Sequence, residues 1–380
     1  MLAPATVTPP RTLLHVFPTF SVGGAQMRFI QLANHFGSRY RHRIVSLNGS
    51  TEAIARLLPE VDVELIRAGT QKGATLNNLR AIRRTLAQLR PDLLVTSNWG
   101  SIEWAMANLT IGIPHLHMED GFGPEEAMRQ LPRRVWMRRV ALSRSTVMLP
   151  SLKLLSLARE VWKLPPDRLC YVPNGVDCAR FAQNPDWEFA AKHGIRGDVP
   201  IVGAVGGLRP EKNLPRLLDA FSLVVAKRPA QLVIVGEGPL MLELKESAEA
   251  RGLSRQILFT GASSTPERFL PLFSVFALSS DTEQMPLSIL EAMAASRAVA
   301  ATDVGDIADM LAEENRAFLA PRDASALGAC ILALLGDPKK SDAIGRANRA
   351  RALGVYDQSK MFAAHQMLLD GELAKKAKAS

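Results

Sequence analysis

A chain of 380 residues is long enough for two domains with full-sized cores, and 47% hydrophobic with 22% charged residues is the mix of a globular protein. No apolar run approaches the ~18 residues that a membrane-spanning helix needs, and the three cysteines, Cys170, Cys178 and Cys330, lack CxxC spacing, so neither a disulfide framework nor a zinc site is expected and a reducing cytoplasm fits best. The net charge of +9 is concentrated in residues 1–190, with 23 Lys and Arg against 15 Asp and Glu, leaving 23 against 22 for the rest; this favours an anionic partner such as a bilayer surface, and disfavours nucleic acid because aromatics are not interleaved with the arginines.

In chain order, the opening Met1-Leu-Ala-Pro-Ala-Thr-Val-Thr-Pro-Pro10 has no basic start followed by an apolar core, so residues 1–11 read as a disordered tail rather than a signal peptide. Thr12-Leu-Leu-His-Val-Phe17 is a short strand that runs through Pro18-Thr-Phe-Ser-Val-Gly-Gly24 into a helix bearing Met27, Ile30, Leu32 and Phe36. The same grammar returns at Pro200–Val205, Gly206-Gly-Leu-Arg-Pro-Glu-Lys212, and a helix with Leu214, Leu217, Leu218 and Phe221. Two strand, glycine loop, helix openings predict two doubly wound α/β domains in tandem. Further strands are expected at Arg43–Asn48, Val63–Ala68, Leu93–Asn98, Pro114–Glu119 and Thr146–Pro150, then at Leu232–Gly236, Ile257–Gly261, Val275–Ser280, Ala298–Thr302 and Ala317–Ala320. Helical stretches between them argue for parallel sheets. The broken polar text around 183–198 predicts a linker over residues 186–198. Neither glycine loop is GxGxxG and no GxxxxGK[ST] occurs, which argues against a dinucleotide oxidoreductase or a P-loop hydrolase.

The most informative stretch is Glu283-Gln-Met-Pro-Leu-Ser-Ile-Leu-Glu291. Pro286 suits a first helical position, so Glu283 falls in a loop and Glu291 in the second helical turn. Between them the amides of Leu287 and Ser288 open a helix N-terminus, which favours an anion such as phosphate. A phosphate flanked by two carboxylates that accept hydroxyl hydrogens describes a sugar nucleotide, although such a pair also caps an ordinary surface helix. Arg129–Arg144 carries six arginines interleaved with Leu131, Val135, Trp136, Met137 and Val140, and a basic amphipathic helix from Pro132 is expected to be a membrane-facing patch or a helix packed on its own sheet.

Together these motifs resemble the family 4 (GT4) retaining glycosyltransferases of the GT-B fold. The matching pieces are Gly23-Gly24, Pro173-Asn-Gly-Val-Asp177, Gly206–Lys212, Val235-Gly-Glu-Gly-Pro239, Phe259-Thr-Gly261, Glu283 through Glu291-Ala-Met, and Thr302-Asp-Val-Gly305, spread over about 300 residues in order. The resemblance implies α/β architecture with two Rossmann-like domains facing a central cleft: an acceptor-side domain over 12–185, a nucleotide-sugar domain over 199–355, a C-terminal helix over 356–373 crossing back to the first domain, and a basic tail over 374–380. It implies that Arg209 and Lys212 hold the donor diphosphate, neutralising charge on the leaving group as a metal does elsewhere; no DxD triplet occurs, and neither metal nor cofactor is expected. It places Glu283 on the donor sugar, Glu291 on the ribose, and Gly23, Gly24, Pro286, Leu287 and Ser288 around the donor.

UDP is the expected base, with GDP as the alternative, and the acceptor a glycan or lipid-linked sugar met at the inner face of a membrane. Asp120 stands where relatives carry a His, and is read as a polar contact or general base, while His115 and His117 are read as core or rim histidines. Gln284, Asp306, Ser296 and Ala298 also depart from the family pattern, the last two replacing a common Gly and Pro. A UDP-sugar epimerase on the same plan and a non-catalytic sugar-nucleotide binder are the alternatives.

Overall fold

The computed structural model describes residues 10–379 apart from Lys72, Gly123, Ala127 and Met128. The chain forms two compact units, one from the N-terminal part up to Pro173 together with Phe362 onward, the other from Asn174 to Met361. Each is a parallel sheet between helices. The first sheet contains β1 (Arg11–Phe17), β2 (Tyr40–Ser46), β3 (Asp62–Leu65), β4 (Leu93–Ser97), β5 (His115–Met118), β6 (Thr146–Leu149) and β7 (Leu169–Tyr171), in the order β3-β2-β1-β4-β5-β6-β7. The second contains β8 (Ile201–Val205), β9 (Gln231–Val235), β10 (Ile257–Gly261), β11 (Val275–Leu278), β12 (Val299–Thr302) and β13 (Leu319–Ala320), in the order β10-β9-β8-β11-β12-β13. Six helices matter below: α1 (Gly24–Phe36), α2 (Thr75–Leu89), α3 (Pro132–Ala141), α4 (Leu214–Val225), α5 (Leu287–Ala294) and α6 (Gln358–Ala379).

The strands are short apolar runs because both sheet faces are covered, and successive side chains go to opposite faces. Leu13, Val95, Leu116 and Met148 pack with Leu369 and Leu373 of α6, while Leu14, Val16 and Leu94 pack with Ile82 and Leu86 of α2. In the second unit Leu217, Leu218 and Phe221 of α4 cover Val202, Leu232 and Ile234 on one face. Ile289, Leu290 and Met293 of α5 cover Val233 and Phe276 on the other. Each such fully buried Leu, Ile or Phe contributes about 1.5–3 kcal/mol relative to exposure. Both sheets are therefore Rossmann-like, and each reverses its strand order beside its first strand, at β1/β4 and at β8/β11. In such sheets the loops leaving the strand ends at that reversal open a crevice where ligands bind.

Several expectations are corrected. Residues 186–198 are no linker: a short helix at Trp187–Lys192 buries Phe189 and Ala190 in the core of the second unit. The three-residue β7 is an edge strand too short for its periodicity to show. Helix α6 continues to Ala379, so the end expected to be loose from residue 374 is helical. Of the tail expected over 1–11, residues 1–9 lie outside the described residues and Arg11 already opens β1. Among the described residues no helix is long and apolar enough to cross a membrane.

Candidate active site

In the second unit the loops after β8 and β11 emerge at the strand-order reversal. Gly206 (φ +152) lets the first loop turn sharply, and Gly236 and Gly238 admit it, since a Cβ on Gly236 would lie 1.9 Å from the Gly206 carbonyl oxygen and one on Gly238 2.5 Å from that of Leu208. Gly203, by contrast, is a packing glycine inside β8, where a Cβ would meet the Phe273 ring at 2.0 Å. The loop ends in a tight turn over Pro210–Lys212, and Asn213, in the left-handed region at φ +41, caps α4 by accepting from the Arg216 amide.

This cap ties the two loops together. Asn213 Nδ2 donates to Asp281 Oδ2 at 2.9 Å, Arg216 donates to Asp281 Oδ1 at 2.6 Å and to the Ser279 carbonyl at 2.8 Å, and the Ser279 hydroxyl donates to the Lys212 carbonyl at 3.0 Å. Lys212 is thereby aimed at Glu283: Nζ lies 2.5 Å from Oε1, with side chains 18% and 10% exposed. The Ser280 hydroxyl donates to the same oxygen at 2.7 Å and Thr302 holds the Ser280 carbonyl at 2.6 Å. Arg209 instead lies open, its side chain 55% exposed and its Nε 3.1 Å from Glu211.

The segment from Glu283 to α5 is clamped from three sides. Gly305 (φ +58) lies so close beneath it that a Cβ would stand 2.2 Å from the Glu283 carbonyl oxygen. The Asp306 amide donates to the Gln284 carbonyl at 2.9 Å, and Asn174 Nδ2 donates to the Met285 carbonyl at 2.9 Å. Pro286 is the N-cap of α5 rather than its first helical residue, so Leu287 and Ser288 supply the opening amides, which have no partner within the helix. Glu291 follows in the second turn. Burial pushes its carboxyl up to about 7, with Arg180 opposing and Glu267 reinforcing that shift. Arg180 is itself tied to Glu267 at 2.8 Å.

In the first unit Gly23 is the N-cap and Gly24 the first residue of α1. One turn on, Arg28, 2% exposed, makes a two-pronged ion pair with Asp120, whose amide donates to Asn98 Oδ1 at 2.7 Å. A carboxylate so engaged is placed as a fixed polar group, and of the two roles open to Asp120 the geometry does not favour that of general base. Nothing in the sequence signalled Arg28, because its partner lies 92 residues away. His115 and His117 are core residues sharing Thr96 Oγ1 at 2.7 and 2.8 Å.

Part of the arginine set of α3 is engaged within the first unit. Arg138 is fully buried, bonded to Glu119 and Glu126 and stacked against Trp99, Phe122 and Trp162. Arg134 pairs with Glu126, and Arg139 donates to the carbonyls of Val161 and Trp162. Of the two expectations for this segment, a membrane-facing patch or a helix packed on its own sheet, the contacts of three of its six arginines agree with the second.

Comparison with known proteins decides the family. The model for glycosyl transferases group 1 matches residues 185–351 and that for Glycosyltransferase Family 4 matches residues 22–180. The chain belongs to the family 4 glycosyltransferases of GT-B type. The transferase is 36% identical to the putative glycosyltransferase EpsF of Bacillus subtilis over 132 residues, 34% of each chain, so that match spans only about a third of the relative. It is 24% identical to the alpha-maltose-1-phosphate synthase of Mycolicibacterium smegmatis over 349 residues, 80% of this chain and 90% of the relative. Among solved structures, that of Anabaena HepE in complex with UDP and glucose superposes with a TM-score of 0.81 at 18% identity, covering 95% of this chain and 100% of that one.

Proposed function

We propose that this transferase moves a sugar from a nucleoside-diphosphate donor to a glycan or lipid-linked acceptor, with retention of anomeric configuration and without a metal. The observation that carries the reading is the Lys212–Glu283 pair, held at the strand-order reversal beside the open amides of α5. Glu283 accepts hydroxyl hydrogens of the donor sugar, Glu291 those of the ribose, and Lys212 with the exposed Arg209 balances the diphosphate. Gly23, Gly24, Pro286, Leu287 and Ser288 complete the donor surface. As the anomeric C–O bond breaks, the two cations stabilise the departing phosphate, whose oxygen takes the proton from the acceptor hydroxyl that attacks on the same face. Asp120, fixed by Arg28, serves as a polar contact to the sugar. UDP is the expected base, with GDP as the alternative; the HepE complex holds UDP.

A thermal-shift panel of UDP, GDP, ADP and NAD on wild type and Glu291→Ala tests the reading. A ligand at ~100 times its Kd adds roughly 2.7 kcal/mol to stability. Stabilisation by UDP or GDP that the variant loses supports it, and stabilisation by NAD alone overturns it.

A further inference from the structure

Several arginines of the first unit are matched to carboxylates, among them Arg28 to Asp120, Arg39 to Asp370, Arg41 to Asp62, Arg43 to Glu64 and Arg138 to Glu126. Helix α2 gathers three arginines, Arg80, Arg83 and Arg84, in two turns. From Leu65 to Pro91 the sequence contains six Lys and Arg and no Asp or Glu. The helix buries Asn78, Ile82 and Leu86 against its domain, and the spacing of Leu76, Arg80, Arg83, Arg84 and Ala87 puts those five on the opposite face. All five are exposed, Leu76 at 75%, and among the described residues none of Arg80, Arg83 and Arg84 has an ion pair.

Arg80 also faces Arg83 and Arg84 at i+3 and i+4, a like-charge arrangement that weakens a helix in water and that an anionic surface would relieve. We propose that this face of α2 docks the protein on a bilayer of anionic phospholipid, with Leu76 entering the headgroup region and the three arginines over phosphates. A lipid surface suits the face better than nucleic acid, because the stripe offers an exposed aliphatic side chain and no aromatic for base stacking. The α3 segment is the weaker surface, since its Arg134, Arg138 and Arg139 are used internally.

Co-sedimentation of the full chain with vesicles of phosphatidylglycerol and phosphatidylcholine, against phosphatidylcholine alone, tests this. Binding needs no turnover, so its result is independent of the transfer reading. Wild type is expected on the anionic vesicles only, with binding falling as salt rises. Each arginine removed should weaken partitioning about fivefold, so Arg80→Gln, Arg83→Gln and Arg84→Gln together should lose on the order of a hundredfold. The matching Lys triple should bind like wild type. The charge-equivalent control, Arg129→Gln, Arg133→Gln and Arg144→Gln, should also bind like wild type, with melting temperatures unchanged throughout. Equal loss in both Gln triples, no loss in the α2 triple, or retention on single-stranded RNA without vesicle binding would each overturn the proposal.

Discussion

Lys212 Nζ lies 2.5 Å from Glu283 Oε1, so each of these two charges has its counter-ion in the other. A donor that brings phosphates to Lys212 and hydroxyls to Glu283 exchanges this pair for two charge-assisted contacts rather than uncovering two bare charges. Lys212→Ala is expected to lower kcat/KM by about 10²–10³, the magnitude seen when one donor to a developing oxyanion is removed. Glu283→Gln should lose turnover while nucleoside diphosphate binding is largely kept. Because the two side chains share one contact, the double variant should be less impaired than the product of the single effects. Additive losses in steady-state kinetics would mean that the pair does not act as a unit.

The buried guanidinium of Arg138 makes a prediction about the fold alone. It balances Glu119 and Glu126 and fills the space between Trp99, Phe122 and Trp162. Removing one partner of a buried charge cluster leaves the other uncompensated, so Arg138→Leu should destabilise by about 3–5 kcal/mol. Urea unfolding measures this, and a loss below 1 kcal/mol would show that the cluster is hydrated in solution.

How far the sequence could be read depended on the range of the contacts involved. The β1 and β8 openings were legible because a strand, its glycine loop and the apolar face of the next helix are adjacent in the chain. Helix α3 was expected from Pro132 and begins there. Glu283 and Glu291 could be placed because Pro286 marks the start of α5. What escaped was long-range: the Arg28–Asp120 pair spans 92 residues and the Asn174 to Met285 bond spans 111, and no local pattern encodes either. The fate of the α3 arginines was illegible for the same reason, since a fully buried Arg138 and an exposed Arg133 look alike in sequence.

Glu291 makes the site sensitive to pH. Its carboxyl titrates near 7 in the folded chain, raised chiefly by burial from an ordinary value of 4.5. The folded state thus holds a proton that the unfolded state has released between pH 4.5 and 7, so this group's contribution to stability is fully present below 4.5 and is lost as pH rises through 7. Glu291→Gln should flatten that decline when stability is followed across the range. Hydroxyls of a ribose are accepted best by the ionised form, so UDP binding below pH 7 should release a proton. Calorimetry in buffers of different ionisation enthalpy reads that release directly, and heats independent of buffer would remove Glu291 from the contact.

Ser296 is one of the positions where this chain departs from the family pattern, and there the backbone shows the consequence. It sits at φ +58, the left-handed region, immediately after the turn that ends α5. Its carbonyl oxygen lies close against Gly345, where an added Cβ would stand 2.0 Å away. A residue with a Cβ in this conformation costs about 1–2 kcal/mol relative to one without. Part of that returns as unfolded-state entropy when glycine is introduced. Ser296→Gly is therefore expected to stabilise the second unit by about 0.5–1 kcal/mol. The gain should appear as a higher melting temperature with kcat unchanged, because Ser296 belongs to no part of the proposed donor site. A lower melting temperature would show that the serine side chain makes a compensating contact worth more than the strain.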